Sequence, residues 1–173
     1  MNTIPHIELR PLASSDAKNL FHLWSDAEAV KFTNWPYLLT LQECEERLFR
    51  VLEYYGKDPL NFGPFTIHLA DGEFAGIVGG DHRDASLKQY EIWYFLRRNQ
   101  WRKGIAKKAV TDLLTLMKDS GRVRQVYATA VTTNPASWML LERLNFKLEE
   151  TISSGHQKHG LTLDLFKYSH SLQ

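Results

Sequence analysis

The chain has 173 residues, 43% hydrophobic, 24% charged and 12% aromatic, a globular composition that excludes the disordered, collagen-like and membrane classes. At this length one core burying roughly 70% of the unfolded surface is expected, and no stretch approaches the roughly 18 consecutive apolar residues of a membrane helix. The net charge of +1 hides a local excess: Arg97, Arg98, Arg102, Lys103, Lys107 and Lys108 are six basic residues with no acid among them, while the rest of the chain holds 15 basic against 20 acidic residues, a balance of −5. Positive charge concentrated in one segment points to a local anionic partner.

The opening MNTIPHIELR has neither a basic nor an apolar leader region, so neither export nor membrane insertion is indicated. The lone Cys44 cannot form an internal disulfide and has no partner at metal-ligand spacing, which suits a reducing compartment. A cytoplasmic protein is expected. With no internal repeat, low-complexity run or linker-like stretch, residues 1–173 read as a single domain.

In chain order, Ile7 to Leu12 alternates apolar and polar residues as a half-buried strand does. Asp16 is placed to cap a helix carrying Leu20, Phe21 and Trp24, and a second helix begins at Thr40, where Thr40 and Glu43 form a capping box, and ends near Gly56. Phe65 to Ala70, Glu73 to Asp81 and Gln89 to Leu96 read as strands, the first two joined by the hairpin signal Asp71-Gly72. The period then changes: Ile105, Ala109, Leu113 and Leu116 mark a helix that stops at Gly121. Val126 to Val131 is a further strand, and Pro135 to Leu144 a short helix with Asn134 as N-cap and Asn145 in the left-handed position that ends it. Two final strands, Lys147 to Ile152 and Leu161 to Tyr168, flank a Ser-Gly turn. The sum is an α/β domain with a mostly antiparallel sheet.

The stretch from Gln89 to Ala109 is the most informative, because a strand runs into a glycine-containing loop that opens directly into a helix. First-turn amides of a helix lack internal partners and carry the positive end of its dipole, so an anion can bind there. In Trp101-Arg102-Lys103-Gly104-Ile105-Ala106, Gly104 lets an anion approach the main chain and Ala106 is too small to block it. Arg102, Lys103 and Lys107 add attraction. A plain glycine before a solvated basic helix face is the ordinary alternative; strand, loop, helix and acid-free basic run together favour a phosphate site. Neither G-x-G-x-x-G nor G-K-[ST] is present, which removes support for nicotinamide or ATP-type chemistry.

These residues resemble the GNAT superfamily of acetyl-CoA-dependent N-acetyltransferases, and within it the RimJ/RimL-type branch. The resemblance runs through Ile7 to Leu12, Leu23-Trp24-Ser25-Asp26, Gly72 to Gly79, Tyr90 to Leu96, Trp101 to Ala106, and Asn134-Pro135-Ala136-Ser137 with Leu141 to Phe146. It implies a GNAT fold: an α/β (α+β) domain with a mixed, mostly antiparallel twisted sheet of about seven strands and four main helices, splayed between its fourth and fifth strands. It implies acetyl-CoA as cosubstrate. Pantetheine would pair with main-chain groups around Tyr94, Phe95 and Leu96, the diphosphate would rest on Trp101, Arg102, Lys103, Gly104, Ile105, Ala106 and Lys107, and Asn134 and Ser137 would face the pantetheine arm and thioester. An amide near Phe95 or Leu96 would stabilise charge developing on the thioester oxygen. Trp101 stands where the superfamily usually has Gln or Arg, and Leu141 where many members carry a tyrosine proton donor.

An amine acceptor must lose a proton before it attacks. Glu91, the only carboxylate on its strand, is the candidate general base, acting through water; the alternative is a simple ion pair with a neighbouring Arg or Lys. Ser137 is the candidate for protonating the leaving thiolate, against an ordinary first-turn hydroxyl, and Tyr94 is the fallback. Cys44 reads as a packed small hydrophobe. Trp24, Trp35, Trp93 and Trp138 either line an acceptor pocket or belong to the core. His156 and His159 read as a solvated hairpin tip without a third ligand, and no metal is expected.

The expected partner is an amine, either a small molecule or a protein N-terminus, received by the Asn34 to Asn61 region; the family also includes homodimers. A non-catalytic acyl-CoA sensor on the same fold is the rival within this reading. A nucleic-acid module using Trp101 as a stacking platform is the rival outside it. Six charges in one loop with acidic surroundings make a poor track for a polyanion, so neither nucleic acid nor membrane is expected as a partner.

Overall fold

The computed structural model of the protein describes residues 5–84, 86, 88–158 and 160–172. Its strands are β1 (Ile7–Pro11), β2 (Phe62–Leu69), β3 (Phe74–Asp84), β4 (Gln89–Leu96), β5 (Gln125–Val131), β6 (Lys147–Lys158) and β7 (Leu161–Ser171). Its helices are α1 (Ala17–Trp24), α2 (Ala27–Val30), α3 (Leu41–Gly56), α4 (Ile105–Asp119) and α5 (Pro135–Arg143), with 3-10 turns at Ser14–Asp16 and Arg98–Gln100. The strands form one seven-stranded sheet in the order β1-β2-β3-β4-β5-β7-β6. The β1–β2, β2–β3, β5–β7 and β6–β7 ladders are antiparallel, and β4–β5 is parallel. The mixed, mostly antiparallel sheet with four main helices is the expected architecture.

The chain forms two compact units, Met1–Gly80 with Tyr94–Leu113, and Asp81–Trp93 with Leu114–Gln173. In the first, β1 pairs with β2 from Ile7↔Leu69 to Pro11↔Phe65. Helix α1 buries Leu20, Leu23 and Trp24 completely, and α3 buries Cys44, Leu48 and Val51 at helical spacing. The Thr40 hydroxyl accepts from the Glu43 amide at 3.1 Å while Glu43 Oε2 accepts from the Thr40 amide at 2.9 Å, the expected capping box. Asp16 departs from expectation. It precedes α1, but its carboxylate accepts from the Ala13 amide at 2.9 Å and makes no cap bond to the helix, because the 3-10 turn before α1 claims it. Asp26 does cap: its Oδ1 accepts from the Glu28 and Ala29 amides at 3.1 and 3.4 Å and starts the short α2, which the sequence reading passed over.

The Asp71-Gly72 hairpin joins β2 and β3 as expected, with Gly72 at φ +85° and Asp71 Oδ1 accepting from the Glu73 amide at 2.9 Å. Gly76 has a different reason to be glycine. A Cβ there would stand 2.4 Å from the Phe95 carbonyl oxygen and 2.8 Å from the Leu96 Cα, so β3 and β4 approach at a distance that excludes any side chain.

In the second unit, β5 pairs with β7 along its full length, Gln125↔Ser171 to Val131↔Leu165. Leu141 on α5 is fully buried and belongs to the core. Asn145 adopts φ +61° and ends the helix as expected. Asn134 sits at the N-cap of α5, ahead of Pro135, but its side chain makes no cap bond. The expected Ser-Gly turn is not a turn: β6 runs through Ser153, Ser154 and Gly155 with a register shift between Ile152 and His156. Ser154 at φ +56° and its amide bonded to Asp164 Oδ1 at 2.8 Å mark that irregularity. His156 is therefore a buried strand residue, 5% exposed, and not part of a solvated tip; His159 lies outside the described residues. Burial lowers the His156 imidazole below its ordinary range.

Cys44 is fully buried with its thiol donating to the Ala17 carbonyl at 3.3 Å, and burial pushes the thiol up to about 11. The folded chain thus holds the thiol proton more tightly than the unfolded chain; this contribution to stability is intact below about pH 9 and lost as pH rises towards 11. Two outcomes are expected. At pH 8 the native protein resists alkylation by iodoacetamide and reacts fully once unfolded in urea, measured by mass spectrometry. Gly76→Ala lowers stability by about 1–3 kcal/mol through overpacking against β4, a fall in Tm of several degrees, whereas Gly56→Ala, where an added Cβ meets nothing within 4 Å, does not.

Candidate active site

Strand β4 ends where the loop to α4 begins, and four features of that junction follow from its sequence. Gly104 adopts φ +78° and Arg102 φ +62°, so the chain turns twice through the left-handed region before the helix. The first intrahelical bond is from the Lys108 amide to the Gly104 carbonyl at 3.1 Å, which places the Ile105, Ala106 and Lys107 amides ahead of the ladder. Among the described residues, a Cβ on Gly104 would meet only Pro5, at 3.6 Å, an ordinary van der Waals contact. Ile105 is buried and anchors the turn, while Ala106 is half-buried. These are the requirements for a diphosphate cradle, and the residues present fit one.

The basic run divides into two sets. Arg97 lies 3.5 Å from Glu73 and donates to the Phe74 carbonyl at 3.4 Å, Arg98 lies 3.3 Å from Asp26, and Lys108 donates to Asp112 Oδ2 at 2.7 Å. Those three are structural. Arg102 and Lys107 are exposed and, among the described residues, pair with no acid; Lys103 donates only to the neutral Gln100 Oε1 at 3.1 Å. The free charge is therefore on the three residues nearest the open amides. Gln100, itself 2% exposed, donates to Glu73 Oε1 at 3.0 Å and anchors the same loop from below, a support that sequence reasoning missed.

Trp101 is 42% exposed, and its indole N–H donates to the Leu96 carbonyl at 3.0 Å. One acceptor site on the Leu96 main chain is thus already taken, and the indole straps the loop to the end of β4. The Arg97 amide donates back to the Ala75 carbonyl at 2.9 Å. Phe95 and Leu96 are both 7% exposed, and Tyr94 is half-buried.

In the second unit the β4–β5 ladder covers only Gln89↔Gln125, Tyr90↔Val126 and Glu91↔Tyr127, although β5 runs on to Val131. The splay begins there. Glu91 stands at its lip. Arg83 Nε donates to Glu91 Oε2 at 2.8 Å, and the Thr129 hydroxyl donates to Oε1 at 3.3 Å. The neighbouring Trp93 indole donates to Asp81 Oδ1 at 3.3 Å. Arg83, Asp81 and Thr129 were not found from sequence, because each joins Glu91 or Trp93 only through cross-strand register. Asn134 and Ser137 meet at the start of α5, where the Asn134 carbonyl accepts from the Ser137 amide at 3.1 Å. The Trp138 indole is tied to the Thr132 carbonyl at 3.2 Å and is a structural residue.

Among the described residues no group of three or more His, Cys, Asp or Glu is placed to hold a metal ion, and no helix is long and apolar enough to cross a membrane. Residues 6–147 match the acetyltransferase (GNAT) domain family. The chain is 26% identical over 163 residues to the uncharacterized N-acetyltransferase p20 of Bacillus licheniformis, covering 94% of this chain and 91% of that one. Its fold is similar to that of RimL, a ribosomal L7/L12 alpha-N-protein acetyltransferase solved in complex with coenzyme A, with TM-score 0.83, 22% identity and coverage of 95% and 93%. It is similar also to spermidine N-acetyltransferase from Vibrio cholerae in complex with coenzyme A and spermine, with TM-score 0.84, 16% identity and coverage of 96% and 95%. With a glycine-containing turn into α4, a parallel ladder that ends at Glu91, and a family match over residues 6–147, the chain belongs to the GNAT acetyltransferase family.

Proposed function

We propose that the chain is an acetyl-CoA-dependent N-acetyltransferase, acting as one domain over residues 1–173 in the cytoplasm and moving the acetyl group directly onto an amine. The observation that carries this reading is the Arg102–Lys107 turn, whose amides precede the α4 ladder and whose cations are not neutralised by acids among the described residues. It suits the two negative charges of a diphosphate.

Acetyl-CoA supplies an activated acyl carbon on a thioester. The diphosphate rests on the amides of Gly104 to Lys107, with Arg102, Lys103 and Lys107 around it, and the main chain at Phe95 and Leu96 receives the pantetheine amides. Asn134, whose side chain is not used as a helix cap, has its amide available for the same arm. A main-chain N–H near Phe95 faces the thioester oxygen where charge develops, an interaction worth about 3–4 kcal/mol in comparable sites.

The acceptor nitrogen attacks as the free base: a C–N bond forms, the C–S bond breaks, one proton leaves the nitrogen and one ends on the thiol sulfur. Glu91 receives the first through water. Arg83 fixes its carboxylate from one side, leaving Oε1 with a single long hydroxyl contact as the open oxygen. Ser137 delivers the second, with Tyr94 as the alternative donor; Leu141 is core and takes no part.

Gly104→Glu is expected to weaken acetyl-CoA binding at least 100-fold by calorimetry while the protein still melts cooperatively, since the new carboxylate occupies the anion's place; unchanged affinity overturns the cradle. Glu91→Gln is expected to lower kcat about 10²–10⁴-fold at saturating acetyl-CoA with acetyl-CoA affinity unchanged. A wild-type protein that binds acetyl-CoA but shows no thiol release across a broad amine panel would instead be a sensor.

A further inference from the structure

Helix α3 carries one cation that the fold does not neutralise. Apart from Glu45, the helix's other charges, and Lys57 just past its end, are committed. Arg50 lies 3.9 Å from Glu46 and donates to the Glu46 carbonyl at 3.2 Å, Lys57 pairs with Glu53 at 2.8 Å, and Glu43, one turn before Arg47, gives its carboxylate to the Leu39 and Thr40 amides. Arg47 lies instead with its guanidinium carbon 5.4 Å from the centroid of the Trp35 ring, and its Nε is enclosed without a hydrogen-bond partner. The enclosure does not reach its two Nη nitrogens, and among the described residues no carboxylate pairs with it. A charged N–H left in this way is a standing cost unless something completes it.

The surroundings say where the missing anion would sit. Trp35 stacks on the buried Trp24 at 5.1 Å and 15°, and it also meets Phe95, at 5.8 Å between ring centroids. Arg47 is thus two ring contacts from the β4 residue assigned above to the acyl donor, all within one compact unit. The indole holds the guanidinium by a cation–π contact, and the two Nη nitrogens, which the enclosure of Nε does not reach, offer paired N–H groups of the kind that match a carboxylate. Phosphate would call for a second cation, and Arg50, the next along the helix, is turned to Glu46. A polyamine would bring positive charge against an unneutralised one.

We propose that Arg47 on Trp35 is the acceptor-selecting residue, and that the acceptor is a small amine carrying a carboxylate on the same molecule, an amino acid in the broad sense. The proposal rests on the acetyltransferase reading.

The test compares wild type, Arg47→Gln and Arg47→Lys on the standard α-amino acids, their amides, an aminoalkyl phosphate and spermidine, following thiol release from acetyl-CoA. The wild type is expected to use its best amino acid at least tenfold better in kcat/KM than the matching amide. Arg47→Gln is expected to erase that gap through KM while leaving the amide's kcat/KM unchanged, and Arg47→Lys to restore part of it. Equal use of acid and amide, preference for the phosphate or spermidine, or an equal loss on acid and amide in Arg47→Gln overturns the proposal. Calorimetry separates the two levels: failure of the wild type to bind acetyl-CoA defeats the acetyltransferase reading, whereas titration with the amino acids alone still decides Arg47, by binding that is present in wild type and lost in Arg47→Gln at unchanged Tm.

Discussion

Strand β4 is held against β3 by a contact that only glycine permits. With the Phe95 carbonyl 2.4 Å from where a Gly76 Cβ would be, and the Leu96 Cα at 2.8 Å, neither strand can slide without a clash. Because side chains alternate along a strand, a slip of one residue would exchange its two faces. The close approach therefore fixes where the Tyr94 to Leu96 main chain lies and where the following loop must start. The Arg97 amide bonded to Ala75 and the Trp101 indole bonded to Leu96 extend the same constraint into the loop. A site of bare amides needs such a frame, since its donors bring no side chains of their own to position them.

In the proposed mechanism the chemistry is divided between elements according to what each can hold still. The helix start offers dipole and amides, the end of β4 offers main chain, and the lip of the β4–β5 separation offers Glu91, pinned by Arg83 and touched by Thr129. A carboxylate gripped on one oxygen keeps its orientation and still has lone pairs to accept a proton, so the ion pair and the proposed base are compatible uses of one side chain.

Most of the fold was legible in the sequence, and the reasons are local. Capping boxes, hairpin signals and changes of period are written in adjacent residues, which is why α3, the β2–β3 hairpin, β4, α4 and the left-handed Asn145 stand where their sequence puts them. What was misread depended on competition or register. Asp16 and Asn134 are good N-cap residues, yet Asp16 serves the turn before its helix and Asn134 makes no cap bond at all. Ser153-Ser154-Gly155 looks like a turn, but cross-strand pairing with β7 carries β6 through it as a bulge and buries His156. Arg83, Thr129 and Arg47 escaped notice for the same reason: their partners are far away in sequence, and no spacing rule announces them.

The division of the basic run bears on how the protein behaves in different buffers. Six cations in a dozen residues suggest strong long-range capture of an anion, but Arg97, Arg98 and Lys108 are already balanced by Glu73, Asp26 and Asp112. The field that reaches solvent is that of Arg102, Lys103 and Lys107, and at physiological ionic strength the Debye length is only about 8 Å. In the proposed complex, added salt would therefore weaken encounter modestly, while short contacts to main-chain N–H groups, lying well inside that length, would persist, leaving the grip on a diphosphate to hydrogen bonding more than to attraction from afar.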